Sequence, residues 1–312
     1  MIPIESIEEA CYRISRYVLH TPVTFDRQLG LFFKWENQQK TGSFKLRGAL
    51  NKVLSLSREQ LANGLVTCSA GNHGQGVAFA ARQAGAECIV FVPDHAATVK
   101  VEAMRAWGAE VRPVKGGYED AEGMAIEQAA ATEKIFISPY NDLAVMAGQG
   151  TIAAEYEKQI QEFSNLKAIL VPVGGGGLIC GMASFLKHEK NHVKIIGVQS
   201  EASPYAAQLI RSGSQQGVVE KESIAEGLAG AIAADSLTIP LMLECVDDMI
   251  LVSEEEIRQA IRYAWFEQRE RIEGSAAVGL AARLAGKIQL SPALTVITGG
   301  NIQPELFNEI LR

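Results

Sequence analysis

Apolar positions along this chain switch between two periods. Near the start, Ile7, Ala10, Cys11, Ile14 and Val18 form a helical stripe, and Ser6 with Glu9 has the spacing of a capping box. A first helix capped at Ser6 is therefore expected. Leu31–Trp35 predicts a strand, and residues 45–56 predict a second helix beyond a polar, glycine-containing segment. From Leu65 onward, strand and helix alternate. The runs LVTC (65–68), ECIVFV (87–92), EVRPV (110–114), KIFI (134–137), AILVPV (168–173) and VKIIGV (193–198) each precede a helical stretch. Those helices are expected near 75–84, 98–107, 119–131 and 144–158, then up to 187, and near 204–211. MILV (249–252) precedes a long helix near 254–271, and ALTVIT (293–298) precedes GGN and a short last helix. Residues 211–235 read as irregular cover.

Short apolar, β-branched strands alternating with helices predict parallel sheets covered on both faces. At 312 residues the chain has the length of about two domains. The uncharged stretch from Ala168 to Leu186 approaches the length of a membrane span. Pro172 and the four glycines Gly174–Gly177 divide it into strand, turn and helix. The 29 basic and 36 acidic side chains leave a net charge of −7, which gives no electrostatic reason to bind nucleic acid or anionic membrane. The start MIPIESIEEACYR lacks the basic and apolar regions of a secretory signal. Five widely spaced cysteines without a CxxC suit a reducing cytoplasm better than a disulfide framework.

Four loops at expected carboxyl ends of strands carry candidate chemistry. VGGGGL (173–178) could converge backbone N–H groups on a phosphate at a helix start. It matches neither a Walker A loop nor a dinucleotide fingerprint, and a tight turn is the alternative. SAGNHGQG (69–76) could hold a carboxylate, or Asn72 could simply cap a helix. In KTGSFKLRGA (40–49), Lys45 follows Phe44, and a lysine held against apolar surface can become an imine-forming nucleophile. Most lysines are instead solvated. TGGN (298–301) offers a hydroxyl at a sheet edge, or merely ends a strand. Jointly, an amine, a phosphate cradle, a carboxylate loop and a hydroxyl suit a pyridoxal phosphate enzyme acting on an amino acid.

With AGQGT (147–151) and EGSAAVGLAA (273–282), these motifs stand in the order of the fold-type II pyridoxal phosphate enzymes. The chain resembles their threonine/serine dehydratase and serine racemase group from Thr21–Pro22 to TGGN. The resemblance implies two parallel-sheet α/β domains, a large discontinuous one (1–50 and 142–312) and a small one (51–141), with pyridoxal 5'-phosphate in the cleft between them. It implies Lys45 as the Schiff-base lysine and Phe44 as the residue packed on the cofactor ring. Asn72 matches the partner of the ring hydroxyl, Gly174, Gly175, Gly176 and Gly177 the phosphate cradle, and Thr298 the hydroxyl facing the pyridine nitrogen. Ser69, Ala70, Gly71, Asn72 and His73 match the substrate-carboxylate loop, and Tyr140 and Asn141 fall where relatives line the substrate pocket. A homodimer is implied as well.

The implied reaction is α,β-elimination of L-threonine and/or L-serine. Lys45 takes the α-proton, the β-hydroxyl leaves, and hydrolysis gives a 2-oxo acid and ammonia. A neutral hydroxyl at Thr298 makes the ring a weaker electron sink, which favours early loss of the β-hydroxyl. Related racemases carry serine as a second base where this chain has Ala70, so racemisation is disfavoured. Another β-hydroxy amino acid, such as L-threo-3-hydroxyaspartate, is the alternative substrate. Gln199–Ser200 and Tyr205 replace the acidic residues of a divalent-cation site in relatives, so no metal is expected. Glu226 stands where Asp is usual and Gly274 where many relatives have proline. The eleven residues after Asn301 leave no room for a C-terminal regulatory domain.

Overall fold

A computed structural model describes residues 1–160, 165–189 and 192–312. The chain runs through α1 (Ile4–Ile14), β1 (Val23–Asp26), β2 (Leu31–Trp35), α2 (Lys45–Leu54), α3 (Arg58–Ala62), β3 (Leu65–Cys68) and α4 (Asn72–Ala84). It continues through β4 (Cys88–Pro93), α5 (Thr98–Ala106), β5 (Glu110–Val114), α6 (Tyr118–Thr132), β6 (Ile135–Phe136) and α7 (Leu143–Gln159). Next come β7 (Ala168–Pro172), α8 (Gly177–His188), β8 (Lys194–Ser200), α9 (Tyr205–Ser212) and α10 (Thr238–Cys245). Last are β9 (Asp248–Val252), α11 (Glu254–Phe266), α12 (Gly274–Leu284), β10 (Ala293–Ile297) and α13 (Pro304–Leu311).

Two sheets form. The larger has the order β1-β2-β10-β7-β8-β9, and the smaller β5-β4-β3-β6. All pairings are parallel except β1 with β2. Every residue of β3, β4, β7 and β10 is buried, so each reads as an unbroken apolar run, as two-sided burial requires. Val66, Cys68, Ile89 and Phe91 pack against α6 residues Ala121 and Ala125 on one face of the small sheet. On its other face Leu65, Val90 and Val77 share a core with Leu46 and Leu50 of α2. Helix α2 thus packs on the small sheet along one side.

A buried ionic cluster ties α2 to the large sheet. Arg47 donates to both Glu36 oxygens at 2.8 Å and to Glu155 of α7 at 3.0 Å. Lys34 of β2 pairs with Glu155, and Thr21 Oγ1 donates to Glu36 at 2.6 Å. Two cations balance two carboxylates, so none of the four charges is buried unpaired. Arg47 lies two residues beyond Lys45, so the helix that begins at Lys45 is anchored in its first turn.

Several details depart from the expected pattern. Helix α1 begins at Ile4 after Pro3, with no side-chain cap, so Ser6 and Glu9 are interior positions and form no capping box. Pro3 already holds the extended backbone that a helix entry needs, and its carbonyl accepts the Ser6 N–H at 3.1 Å. Strand β1 is an additional antiparallel edge, and α3, α10 and α12 are additional helices. Helix α11 stops at Phe266 rather than near 271, and Arg269 takes a left-handed backbone. The Ala168–Leu186 stretch is β7, a glycine turn and part of α8, and no described helix is long and apolar enough to cross a membrane.

Candidate active site

The turn before α2 is built by the end of β10. Phe44 N–H donates to Thr298 O at 3.0 Å, Gly300 N–H donates to Gly42 O at 3.0 Å, and Ser43 bridges to Gly299. These bonds fix Lys45 as the first residue of α2, with its ammonium 5.3 Å from the Phe44 ring centroid. The ammonium donates to Pro139 O at 2.8 Å. Burial lowers its pKa to about 8, against the pull of the Glu273 carboxylate.

The SAGNHG loop joins β3 to α4. The N-cap of α4 is Gly71, without a side-chain cap, so Asn72 does not serve as one. Asn72 Nδ2 donates instead to Glu273 Oε1 at 2.6 Å, and its Oδ1 accepts from Asn301 Nδ2 at 2.7 Å. Asn301 also donates to Thr41 O at 3.0 Å, and Glu273 N–H donates to Gly299 O at 3.1 Å. Three motifs are thereby stitched together: KTGSFK, SAGNHG and TGGN. Ser69 Oγ accepts the Gly71 N–H at 3.1 Å. The His73 ring turns into the core, where Nε2 meets Ile137 O at 3.0 Å. Burial, helped by the charge of Lys45, pushes its pKa down to about 3, so it is a neutral structural ring and joins the loop only through its backbone.

The glycine loop is reached through the turn between β6 and α7. The Tyr140 ring lies on Gly175, where an added Cβ would come 2.4 Å from Tyr140 Cγ, and a Cβ at Gly177 would come 3.0 Å from Tyr140 Cβ. Gly176, the N-cap of α8, has φ +89°. Thr238 Oγ1 donates to Gly175 O at 2.7 Å. Tyr140 Oη accepts from Ala233 N–H at 3.3 Å, and Asn141 Oδ1 accepts from Leu237 N–H at 2.9 Å. Pro139, Tyr140 and Asn141 therefore link Lys45, the glycine loop and the 232–238 segment. Helix α8 also lacks a side-chain cap, which leaves first-turn N–H groups to meet an anion.

Three residues join the site that motif reading does not single out. Glu273 is the N-cap of α12, a helix rich in glycine and alanine, and burial raises its pKa above the ordinary carboxylate value, against Lys100 and the Asn72 hydrogen bond. Asn301 is the second, and its place in TGGN was the available signal. Lys100, from α5, meets Glu226 at 2.8 Å, and nothing local in the sequence announces the pair. At the end of β8, Gln199 Oε1 accepts from Ala207 N–H at 2.9 Å, and Ser200 Oγ donates to Glu254 at 2.6 Å.

A lysine amine of lowered pKa, an uncapped helix start behind a glycine cradle and an asparagine-lined loop converge here. The profile of the family described as "Pyridoxal-phosphate dependent enzyme" matches residues 14–299. The chain belongs to this family. The L-threonine ammonia-lyase of Geobacter sulfurreducens is 39% identical, over 100% of this chain and 78% of that protein. The serine racemase of Dictyostelium discoideum is 36% identical over 99% of this chain and 98% of its own. The structure of maize serine racemase superposes with a TM-score of 0.92 at 32% identity, covering 98% of this chain and 95% of that one. The residues present fit the cofactor of the family. Lys45 supplies the amine, and side chains are excluded from the loop at Gly175 and Gly177, which leaves backbone donors for a phosphate.

Proposed function

We propose that this enzyme is an ammonia-lyase for L-threonine and/or L-serine that releases a 2-oxo acid and ammonia. When bound, pyridoxal phosphate supplies an electron-withdrawing ring that acidifies the α-proton of an attached amino acid. Lys45 would hold the cofactor, and its free amine would take the α-proton. Its lowered pKa leaves roughly a tenth of the amine unprotonated at pH 7. Gly174, Gly175, Gly176 and Gly177 hold the phosphate with the start of α8. Phe44 would pack on the ring, Asn72 would bond its hydroxyl, and Thr298 would face its nitrogen. The backbone of Ser69, Ala70, Gly71, Asn72 and His73 holds the substrate carboxylate, and Tyr140 closes the pocket wall.

The observation that carries elimination over racemisation is Ala70. Of its loop neighbours, Asn72 is an amide and the His73 ring is buried, and Ser69 Oγ accepts the Gly71 N–H. Names of relatives include both activities, so this residue decides between them. We further propose the division 1–50 with 142–312 against 51–141, with the cofactor between, and no cation at the Gln199–Ser200 end of β8, where both side chains are engaged internally. A homodimer in a reducing cytoplasm completes the proposal. Five free thiols support the compartment.

The test is 2-oxo acid release by purified holoenzyme from L-threonine, L-serine and L-threo-3-hydroxyaspartate, with Lys45→Ala alongside. Release from either of the first two, lost in the variant, is expected. Release from the third alone would move the substrate class. Conversion of L-serine to D-serine as the main reaction would overturn the proposal.

A further inference from the structure

Lys100 stands in the first turn of α5, where a cation faces the positive end of its own helix dipole. Its ammonium reaches out of the small-sheet layer to Glu226 of the large-sheet body, at 2.8 Å. The lysine side chain is only 16% exposed, whereas that of Glu226 is 56% exposed. On its way it passes the carboxylate loop. A Cβ placed on Gly71 would lie 3.6 Å from Lys100 Cδ and 3.9 Å from the ammonium, so bare backbone separates the charge from the loop opening.

The backbone that carries Glu226 is held in place as well. Glu254 accepts from Ser223 Oγ at 2.6 Å and from Ile224 N–H at 2.8 Å, and Ser275 Oγ accepts from Gly227 N–H at 2.9 Å. Gly274 allows the turn to seat so closely, because a Cβ there would lie 2.1 Å from Ile224 O. Charge then decides what Lys100 can do. Glu226 and the half-buried Glu273 already place two carboxyl groups at this side of the site, and a cofactor phosphate adds negative charge. Lys45 is committed to the cofactor. A substrate carboxylate on the loop's N–H groups is stabilised in that field by a nearby cation, and Lys100 is the one beside the loop among the described residues.

We propose that Lys100 receives the α-carboxylate of the amino-acid substrate at the Ser69–His73 loop, and that Glu226 is the carboxylate it gives up in exchange. The ligand class rests on the lyase proposal, but the exchange is read by binding alone. One anionic partner replaces another, so the ammonium is never left buried and unpaired.

Holoenzyme is titrated with L-alanine, which has no β-leaving group, and with L-alaninamide, which has no carboxylate. The change in visible absorption reports binding. Lys100→Met is expected to weaken L-alanine by ~10–100-fold, the usual worth of a charged hydrogen bond, and to leave L-alaninamide within about twofold. Lys100→Arg should recover most of the loss. Glu226→Gln should tighten L-alanine by ~3–10-fold, because a competitor is gone. Equal weakening of both ligands in Lys100→Met, or weakening of L-alanine in Glu226→Gln, would show a structural latch and overturn the exchange. No oxo-acid release from L-threonine, with these binding shifts as expected, supports the exchange while sinking the lyase proposal.

Discussion

Replacing Gly175 by alanine tests whether the Tyr140 ring shapes the glycine cradle. The added Cβ would lie 2.4 Å from Tyr140 Cγ and 2.6 Å from both Cδ atoms. Carbon atoms in contact need about 3.5 Å, so ring or loop must give by roughly 1 Å. Neither is free to move. The ring is clasped by Ala233 through its hydroxyl and by the Asn141–Leu237 bond next door, and the loop is held by Thr238 on Gly175 O. Overpacking of this kind costs about 1–3 kcal/mol, which is ~5–150-fold in an equilibrium constant. The expected outcome of Gly175→Ala is a weakening of cofactor binding in that range, measured by titrating cofactor-free protein with pyridoxal phosphate. Thermal melting of the cofactor-free form, followed in parallel, separates loop distortion from global unfolding. The double variant Gly175→Ala/Tyr140→Ala removes the obstructing ring, so its cost should fall short of the sum of the singles by at least about 1 kcal/mol. Wild-type affinity in Gly175→Ala, or strict additivity in the double variant, would refute the packing argument.

Three further outcomes follow from the same geometry. With the Lys45 pKa at about 8, cofactor loading of the apoenzyme should speed up about tenfold per pH unit below that value and level off above it, and a rise continuing to pH 10 would contradict the burial effect. Glu36→Gln should destabilise the fold by about 3–5 kcal/mol in urea denaturation, because Arg47 loses its bidentate partner inside the protein. Burial alone would raise the Glu36 pKa, but the Arg47 guanidinium outweighs it and holds the group below 4.5, so its contribution is present above pH 4.5 and is lost as pH falls through the lower folded value. Ala70→Ser should introduce measurable D-serine formation from L-serine by chiral chromatography, whereas an unchanged product ratio would place the second face out of that residue's reach.

The parallel strands were legible because burial on both faces writes an apolar run into each, as in AILVPV and ALTVIT. Strand β1 was not, because only Val23 and Asp26 are even partly covered and Thr24 and Phe25 face outward, which leaves no alternation to read. Helix α12 hides for the opposite reason. It is buried all round from Gly274 to Ala282, so its small residues show no stripe. The site was legible wherever glycines or a lysine beside an aromatic marked a loop. Glu273 and Lys100 were not, since their partners are 201 and 126 residues away in sequence. The capping box at Ser6 misled because a proline three residues earlier had already set the helix start.

The small sheet is made entirely from residues 65–136, so the chain enters and leaves it once each, through the 55–64 stretch and the 137–142 turn, with α2 packed on it from before the first passage. Two covalent passages leave a body one easy motion: rotation about the line that joins them. The second passage includes Pro139, whose carbonyl holds the Lys45 amine. The reacting nitrogen is therefore bonded to one of the two passages, while Gly71 and Lys100 belong to the body between them. The loop that meets the carboxylate and the amine that meets the cofactor are thus carried by different segments, joined where the chain leaves the small sheet.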